Sequence, residues 1–264
     1  MYKRQAVGWL EESLDLTKDL SEDHYDRLAS QRELAIAYRV DGQVQKAIRL
    51  LKDLAAKDHF HRLTFQHQLA IAYLASGRMQ EAVRLLEHVV AIREQALEED
   101  DPDRLTSQHE LAAAYLARGR VQEALRLLEH VVAVRERVLA EDHPNRLASQ
   151  HELATVYLAN EQVQEAVQLL EHVAAFRTRV LADDHPSQLT SQHELARAYR
   201  LNGQVEEAVQ LLEHVVAIEA QVLAEDHPSR LASQHELARA YQANGRADEA
   251  VRLLETLRRV SGQA

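Results

Sequence analysis

The sequence predicts an all-α protein, a solenoid of antiparallel helix pairs. Three observations predict it. First, the chain repeats itself. Leu63, Leu105, Leu147, Leu189 and Leu231 open near-identical segments spaced by 42 residues, and Leu28 opens another 35 residues before Leu63. The segments from Leu105 and Leu189 agree at about 29 of 42 positions, and a fixed period of this length marks stacked supersecondary units. Second, the chain holds only 7 Gly and 4 Pro. Ala, Leu, Glu, Gln and Arg dominate instead, which favours helix almost throughout. Third, apolar residues recur at helical spacing. At 46% hydrophobic, the chain fills a substantial core and is not disordered.

Residues 1–27 form a leading helix and linker. Ala6-Val7-Gly8-Trp9-Leu10-Glu11 echoes Ala82-Val83-Arg84-Leu85-Leu86-Glu87, so this is a second helix without its first. Two readings stay open: a piece of a longer protein, or a natural cap. A short repeat follows at 28–62, then full repeats at 63–104, 105–146, 147–188 and 189–230, and a truncated one at 231–264.

Within a repeat, the first helix is predicted over Pro144–Ala159. Proline suits the first helical position, where its missing N–H costs nothing. Asp101 stands where other repeats have His143, His185 and His227, and its carboxylate suits an N-cap. The helix ends at Gly42, Gly77, Gly119, Gly203 and Gly245, which suit the left-handed closing residue. Asn160-Glu161 departs from this pattern, and Asn160 is expected to take the left-handed position. The second helix is predicted from Val121 to about Ala140. Its buried face should hold Val121, Ala124, Leu125, Leu128, Val131, Val132, Val138 and Leu139. The short repeat lacks seven residues here, about two turns, so its apolar face keeps phase.

Charge and composition exclude several functions. There are 31 Lys+Arg against 42 Asp+Glu, a net charge of −11. That balance, with no basic stripe interleaved with aromatics, argues against nucleic-acid and anionic-membrane binding. Cys is 0, which excludes disulfides and Cys-based zinc sites. No apolar run is long enough to cross a membrane and no signal peptide opens the chain, so a cytoplasmic setting is expected. There is no phosphate-binding loop, nucleophile–base set or metal motif. Neither enzyme activity, nor a cofactor, nor a metal site is expected.

Three residue ladders run through the repeats. Tyr38, Tyr73, Tyr115, Tyr157, Tyr199 and Tyr241 are in register. Beside Leu and Ala they suit one inter-helix contact copied six times, rather than an aromatic binding stripe. His67, His109, His151, His193 and His235 form a second ladder, and His88, His130, His172 and His214 a third. Without Cys or a carboxylate triad they do not specify a metal site. Lined-up imidazoles would repel one another when charged, so the array is expected to loosen near pH 6.

Leu153, Ala154, Tyr157, Val163, Ala166, Leu170 and Val173 resemble the tetratricopeptide repeat (TPR) signature. The 42-residue unit closing on Asp142-His143-Pro144, Asp184-His185-Pro186 and Asp226-His227-Pro228 is similar to the kinesin light chain type. Ser-Gln-His-Glu-Leu-Ala and Leu-Leu-Glu-His-Val-Val resemble the C-terminal arrays of fungal nucleotide-binding immune-type receptors. The resemblance implies a right-handed superhelix whose first helices line a concave groove. It also implies peptide or protein binding there, as in kinesin light chains, or ligand sensing within a larger signalling protein.

By that resemblance, His151, Glu152, Thr155, Leu158 and Ala159 and their equivalents, His193 and Glu194 among them, face the groove. Two positions vary between repeats. The Thr155 position reads Ile36, Ile71, Ala113, Thr155, Arg197, Arg239; the Leu158 position reads Arg39, Leu74, Leu116, Leu158, Arg200, Gln242. Ile71, Leu74 and Leu116 would bury apolar side chains of a peptide. Arg197, Arg200 and Arg239 would hold its acidic group. The alternative is that these arginines pair with Glu152, Glu194 and Glu236 on the same surface. The Lys/Asn carboxylate clamp of chaperone-binding members is not matched. A second function remains open: near-identical units could associate head to tail.

Overall fold

The computed structural model describes residues 2–17, 19–21, 24–57 and 61–261. The expected segment limits at residue 1 and residue 264, and residues 58–60 of the short repeat, lie outside them. Among the described residues there are helices and no strands. They are α1 (Tyr2–Leu16), α2 (Tyr25–Val40), α3 (Val44–Lys57), α4 (Arg62–Ala75), α5 (Met79–Ala96), α6 (Pro102–Ala117) and α7 (Val121–Val138). Then come α8 (Pro144–Ala159), α9 (Val163–Val180), α10 (Pro186–Leu201), α11 (Val205–Val222), α12 (Pro228–Ala243) and α13 (Ala247–Ser261). Even-numbered helices from α2 are the first helices of the pairs; odd-numbered helices are the second. The chain divides into two compact units, Met1–Val134 and Arg135–Ala264.

The helix ends follow local chemistry. Asp101 caps α6, accepting from the Asp103 and Arg104 backbone N–H groups at 2.8 and 3.2 Å. His143, His185 and His227 do the same work through Nδ1, each accepting one N–H at 3.1 to 3.2 Å. This capping role of the imidazoles was not evident from residue type, because histidine is not among the favoured caps. Gly203 closes α10 at φ 84°. In the one repeat without that glycine, Glu161 and not Asn160 takes the left-handed conformation. Asn160 has φ −95° and Glu161 has φ 63°. The turn keeps its geometry, so the residue at the glycine position must adopt it. Asn160 instead donates from Nδ2 to Gln162 Oε1 at 2.6 Å.

In the first unit, Ile48, Leu51 and Leu54 of α3 pack with Phe65 and Leu69 of α4 in one core cluster. Ala47, Ile48, Leu51 and Leu54 of the shorter α3 repeat the spacing of Ala82, Val83, Leu86 and Val89 of α5, and all are buried. These positions all precede the seven-residue deletion, so the shorter α3 keeps the apolar face of the longer helix up to its own end. In the second unit, Ala166, Leu170 and Ala174 of α9 pack with Leu195 and Ala198 of α10. Truncating a fully buried Leu170 to Ala would cost about 2–5 kcal/mol.

Three expected core residues of the second helix are corrected: Val121 at its start is half-buried. The helix ends at Val138, which is exposed, and Leu139 beyond it is half-buried. Val180 and Val222 in the same register are exposed as well. Val134, one turn earlier, is buried instead.

Within each unit the first helices also touch one another directly: α2 with α4, α4 with α6, α8 with α10, and α10 with α12. Within each unit, leaving α7 aside, no two second helices show such a contact among the described residues. The stack is therefore tighter on the first-helix side of each unit.

Candidate functional site

The first-helix side carries the expected binding residues, and each unit holds its own set. In the first unit, Ile71 and Leu74 of α4 and Leu116 of α6 are partly exposed. Leu74 also packs against two core clusters, so only part of its surface faces outward.

In the second unit, His151, Glu152 and Thr155 of α8 and His193 and Glu194 of α10 are half-buried. Thr155 spends its hydroxyl on the His151 carbonyl at 3.2 Å. Leu158 sits in the core cluster with Leu170 and Leu195 and is 7% exposed. It supports the surface more than it forms it.

The three arginines are engaged with carboxylates. Arg197 Nη1 lies 3.1 Å from Glu194 Oε2. Arg200 Nε donates to Glu236 Oε1 at 2.7 Å, and Arg239 Nη1 reaches Glu236 Oε2 at 3.0 Å. Pairing on the same surface is present for Glu194 and Glu236, two of the three carboxylates named from the sequence, and it leaves the binding reading open. Three guanidinium groups share two carboxylates, and Arg239 keeps 65% of its side chain exposed. Burial alone would raise the Glu236 carboxyl. The hydrogen bonds and charges of Arg200 and Arg239 outweigh it and bring the carboxyl below its ordinary range.

The tyrosine ladder is an inter-helix contact. Tyr38, Tyr115, Tyr199 and Tyr241 donate to Glu11, Glu87, Glu171 and Glu213, each on a preceding second helix, at 2.6 to 2.9 Å. Glu11 lies on α1, so Tyr38 contacts the leading helix as the later tyrosines contact the second helices before them. Burial and these carboxylates push each of the four phenols up to about 12. Arg120 and Arg246 stack over Tyr115 and Tyr241 at 4.0 and 4.3 Å from the ring centroids.

Two members of the histidine ladder on the first helices, His67 and His193, link neighbouring repeats. His67 Nδ1 lies 3.4 Å from Ser107 Oγ, and His193 Nδ1 lies 3.2 Å from Ser233 Oγ. Burial lowers His67 to about 4, and the nearby Arg93 charge adds to that. Among the described residues no three His, Cys, Asp or Glu gather as metal ligands, and no helix is long and apolar enough to cross a membrane.

One further ladder was not singled out from the sequence. Arg93, Arg135 and Arg177 are buried near the ends of α5, α7 and α9. Each donates from Nη1 to the serine hydroxyl fourteen residues on (Ser107, Ser149, Ser191) and to the carbonyl ten residues on, at 2.9 Å. Strict recurrence 42 residues apart was the available signal.

A family model for the tetratricopeptide repeat matches residues 61–137, 104–179, 145–218 and 187–261. The chain belongs to the tetratricopeptide repeat family. TPR proteins of this kind generally mediate protein–protein interactions. A crystal structure from Podospora anserina, described as kinesin light chain-like with nearly identical TPR-like repeats, is 61% identical to this TPR chain. It covers 78% of this chain and 98% of its own, with a TM-score of 0.66. BtubC (BKLC) from P. vanneervenii is 17% identical, covers 86% of this chain and 94% of its own, and has a TM-score of 0.69. A Rap protein crystallised with Competence and Sporulation Factor is 11% identical. It covers 99% of this chain and 72% of its own, with a TM-score of 0.75. The last two share the fold alone. No curated protein matches this TPR chain.

Proposed function

We propose that this TPR array is a non-catalytic interaction scaffold that holds an acidic segment of a partner protein on the first-helix face of its second unit. The observation that carries this reading is the excess of guanidinium over carboxylate at Arg197, Arg200, Arg239, Glu194 and Glu236. Arg239 is exposed and shares Glu236 with Arg200, so an incoming carboxylate can take its open donors without breaking the Arg200 bond. In the first unit, Ile71, Leu74 and Leu116 supply apolar contact area for the same class of partner. The Rap protein crystallised with Competence and Sporulation Factor has this fold, and a solenoid surface suits extended peptides and protein faces better than small substrates.

The test is a pull-down from the source cell's lysate with the wild-type chain beside an Arg197→Glu/Arg239→Glu variant. Arg200 is left in place because it holds buried Glu236. Circular dichroism confirms that both baits are folded. A partner retained by the first and lost by the second, through a segment mapped as acidic, supports the reading. Equal retention removes these arginines from it.

A second reading, head-to-tail self-association, draws on exposed apolar residues of α1: Trp9 is 64% and Leu16 85% exposed. The chain has one tryptophan, so its emission reports on that face. A blue shift with rising concentration, matched by growth in light scattering, supports association. An unchanged spectrum with monomeric scattering removes it.

A further inference from the structure

The register of Arg93, Arg135 and Arg177 continues to Glu219 of α11. In three repeats a guanidinium fills this place and donates to a serine hydroxyl and a backbone carbonyl. In the fourth, a carboxylate stands among those acceptors. The matching groups are the Ser233 hydroxyl and the Ser229 carbonyl. Glu219 is 3% exposed, and its Oε2 is buried without a hydrogen-bond partner.

Beside it lies a pocket of about 340 Å³ lined by residues of α10, α11, α12 and the segments leading into α10 and α12. Glu219, His193, Ser229 and Ser233 are among its polar lining residues. Leu189, Val222, Leu223 and Ala232 form apolar wall. Asp184, exposed, is the second carboxylate on the lining. The volume is in the range of small-ligand sites (~300–1,000 Å³).

The charges facing Glu219 do not neutralise it by contact. His193 Nδ1 is engaged with Ser233 Oγ at 3.2 Å, and His227 Nδ1 caps α12. Arg230 Nη1 donates to the Leu223 carbonyl at 3.1 Å. No ion pair to Glu219 occurs among the described residues. Burial raises the Glu219 carboxyl despite the Ser233 hydrogen bond and the charges of His193, His227 and Arg230. A buried carboxylate with an unused oxygen calls for a cationic donor.

We propose that this pocket binds a guanidinium group carried on an apolar stem, which takes the place occupied by the protein's own arginine in the other three repeats. The planar fork matches the acceptor set: one arm for Glu219 Oε2, others for the Ser233 hydroxyl and the Ser229 carbonyl. The methylene stem lies along Leu189 and Val222. The ligand is either an arginine side chain of a partner or a free alkylguanidine; both present the same chemistry. The site involves none of the five charged residues of the proposed acidic-segment face, so it stands or falls separately from that reading.

The experiment is a calorimetric titration of the full chain with two probes: agmatine, and a short blocked peptide with one internal arginine. The same peptide with citrulline serves as the neutral control. Saturable binding of either arginine-type probe, at least about tenfold tighter than the citrulline peptide, supports the proposal. Agmatine alone assigns the site to a small molecule, and the peptide alone or more tightly assigns it to a partner's arginine. Two variants test the residue. Glu219→Gln should weaken binding about tenfold or more. Glu219→Arg restores the residue of three sister repeats, so it should fold, melt at a higher temperature and abolish binding. No binding to the wild type, or equal binding to either variant, overturns the proposal.

Discussion

Arg200 and Glu236 join two first helices of the second unit. The Arg200 Nε donates to Glu236 Oε1 at 2.7 Å, and the Glu236 side chain is 5% exposed. The bond is therefore not a surface ion pair. Removing one partner of a buried pair leaves a desolvated charge behind. Arg200→Ala is expected to lower stability by about 1–3 kcal/mol. Arg197→Ala, which breaks the more exposed pair with Glu194, should cost no more than about 1 kcal/mol. Urea unfolding of both variants distinguishes them, and equal small losses would show that the Arg200 bond adds little. The depressed Glu236 carboxyl also has a pH signature. Its contribution is present above the ordinary carboxylate range and is lost as pH falls through its own lower value.

Glu161 bears the backbone cost of the one turn without glycine. At φ 63° a side chain with Cβ is strained, and glycine is not. Glu161→Gly is expected to raise stability by about 1 kcal/mol, while Gly203→Ala at φ 84° lowers it by a similar amount. Urea midpoints measure both. A Glu161→Gly variant no more stable than wild type would show that the unfolded chain's gain in freedom offsets the relief of strain.

His67 makes stability depend on pH. Burial holds it at about 4, against about 6.5 in the unfolded chain. Between these values the unfolded chain binds more protons, so stability falls as pH falls through this window and levels off below it. From pH 7.5 to 5.5 the loss from this residue is about 1 kcal/mol. The cause is the cost of burying a charge beside Arg93, not repulsion between stacked imidazoles. His67→Gln should flatten the pH dependence of the urea midpoint by that amount. An unchanged slope would move the effect to other histidines.

Caps of the first helices can be exchanged. Asp101 satisfies two backbone N–H groups, and its counterpart His143 satisfies one. An aspartate also complements the positive end of the helix. His143→Asp is expected to stabilise by about 0.5 kcal/mol, and His143→Ala to destabilise by about 0.5–1 kcal/mol. Thermal melts at neutral pH check the order Asp, His, Ala.

Local chemistry made most of this architecture legible in the sequence. The 42-residue period, the prolines opening α8 and α10, and the glycines after most first helices set helix type and limits within a few residues. The echo of a second helix in α1 was readable from Ala6–Glu11, and Tyr38 bonds to Glu11 of that helix. Caps and helix-closing glycines act over a turn or two and the period shows on comparing copies, so both are legible without tertiary contacts. What neighbouring helices do to a side chain needs the packed structure. Spacing put Val138 in the core, but that end of α7 leaves it exposed. The family resemblance put Leu158 on an open face, where the core of the second unit covers it. Residue type could not say whether Arg200 faces solvent or Glu236. The change from Arg177 to Glu219 was visible as a change of letter. Only tertiary packing turned it into a buried carboxylate beside a pocket, because burial and the position of acceptors belong to three helices at once.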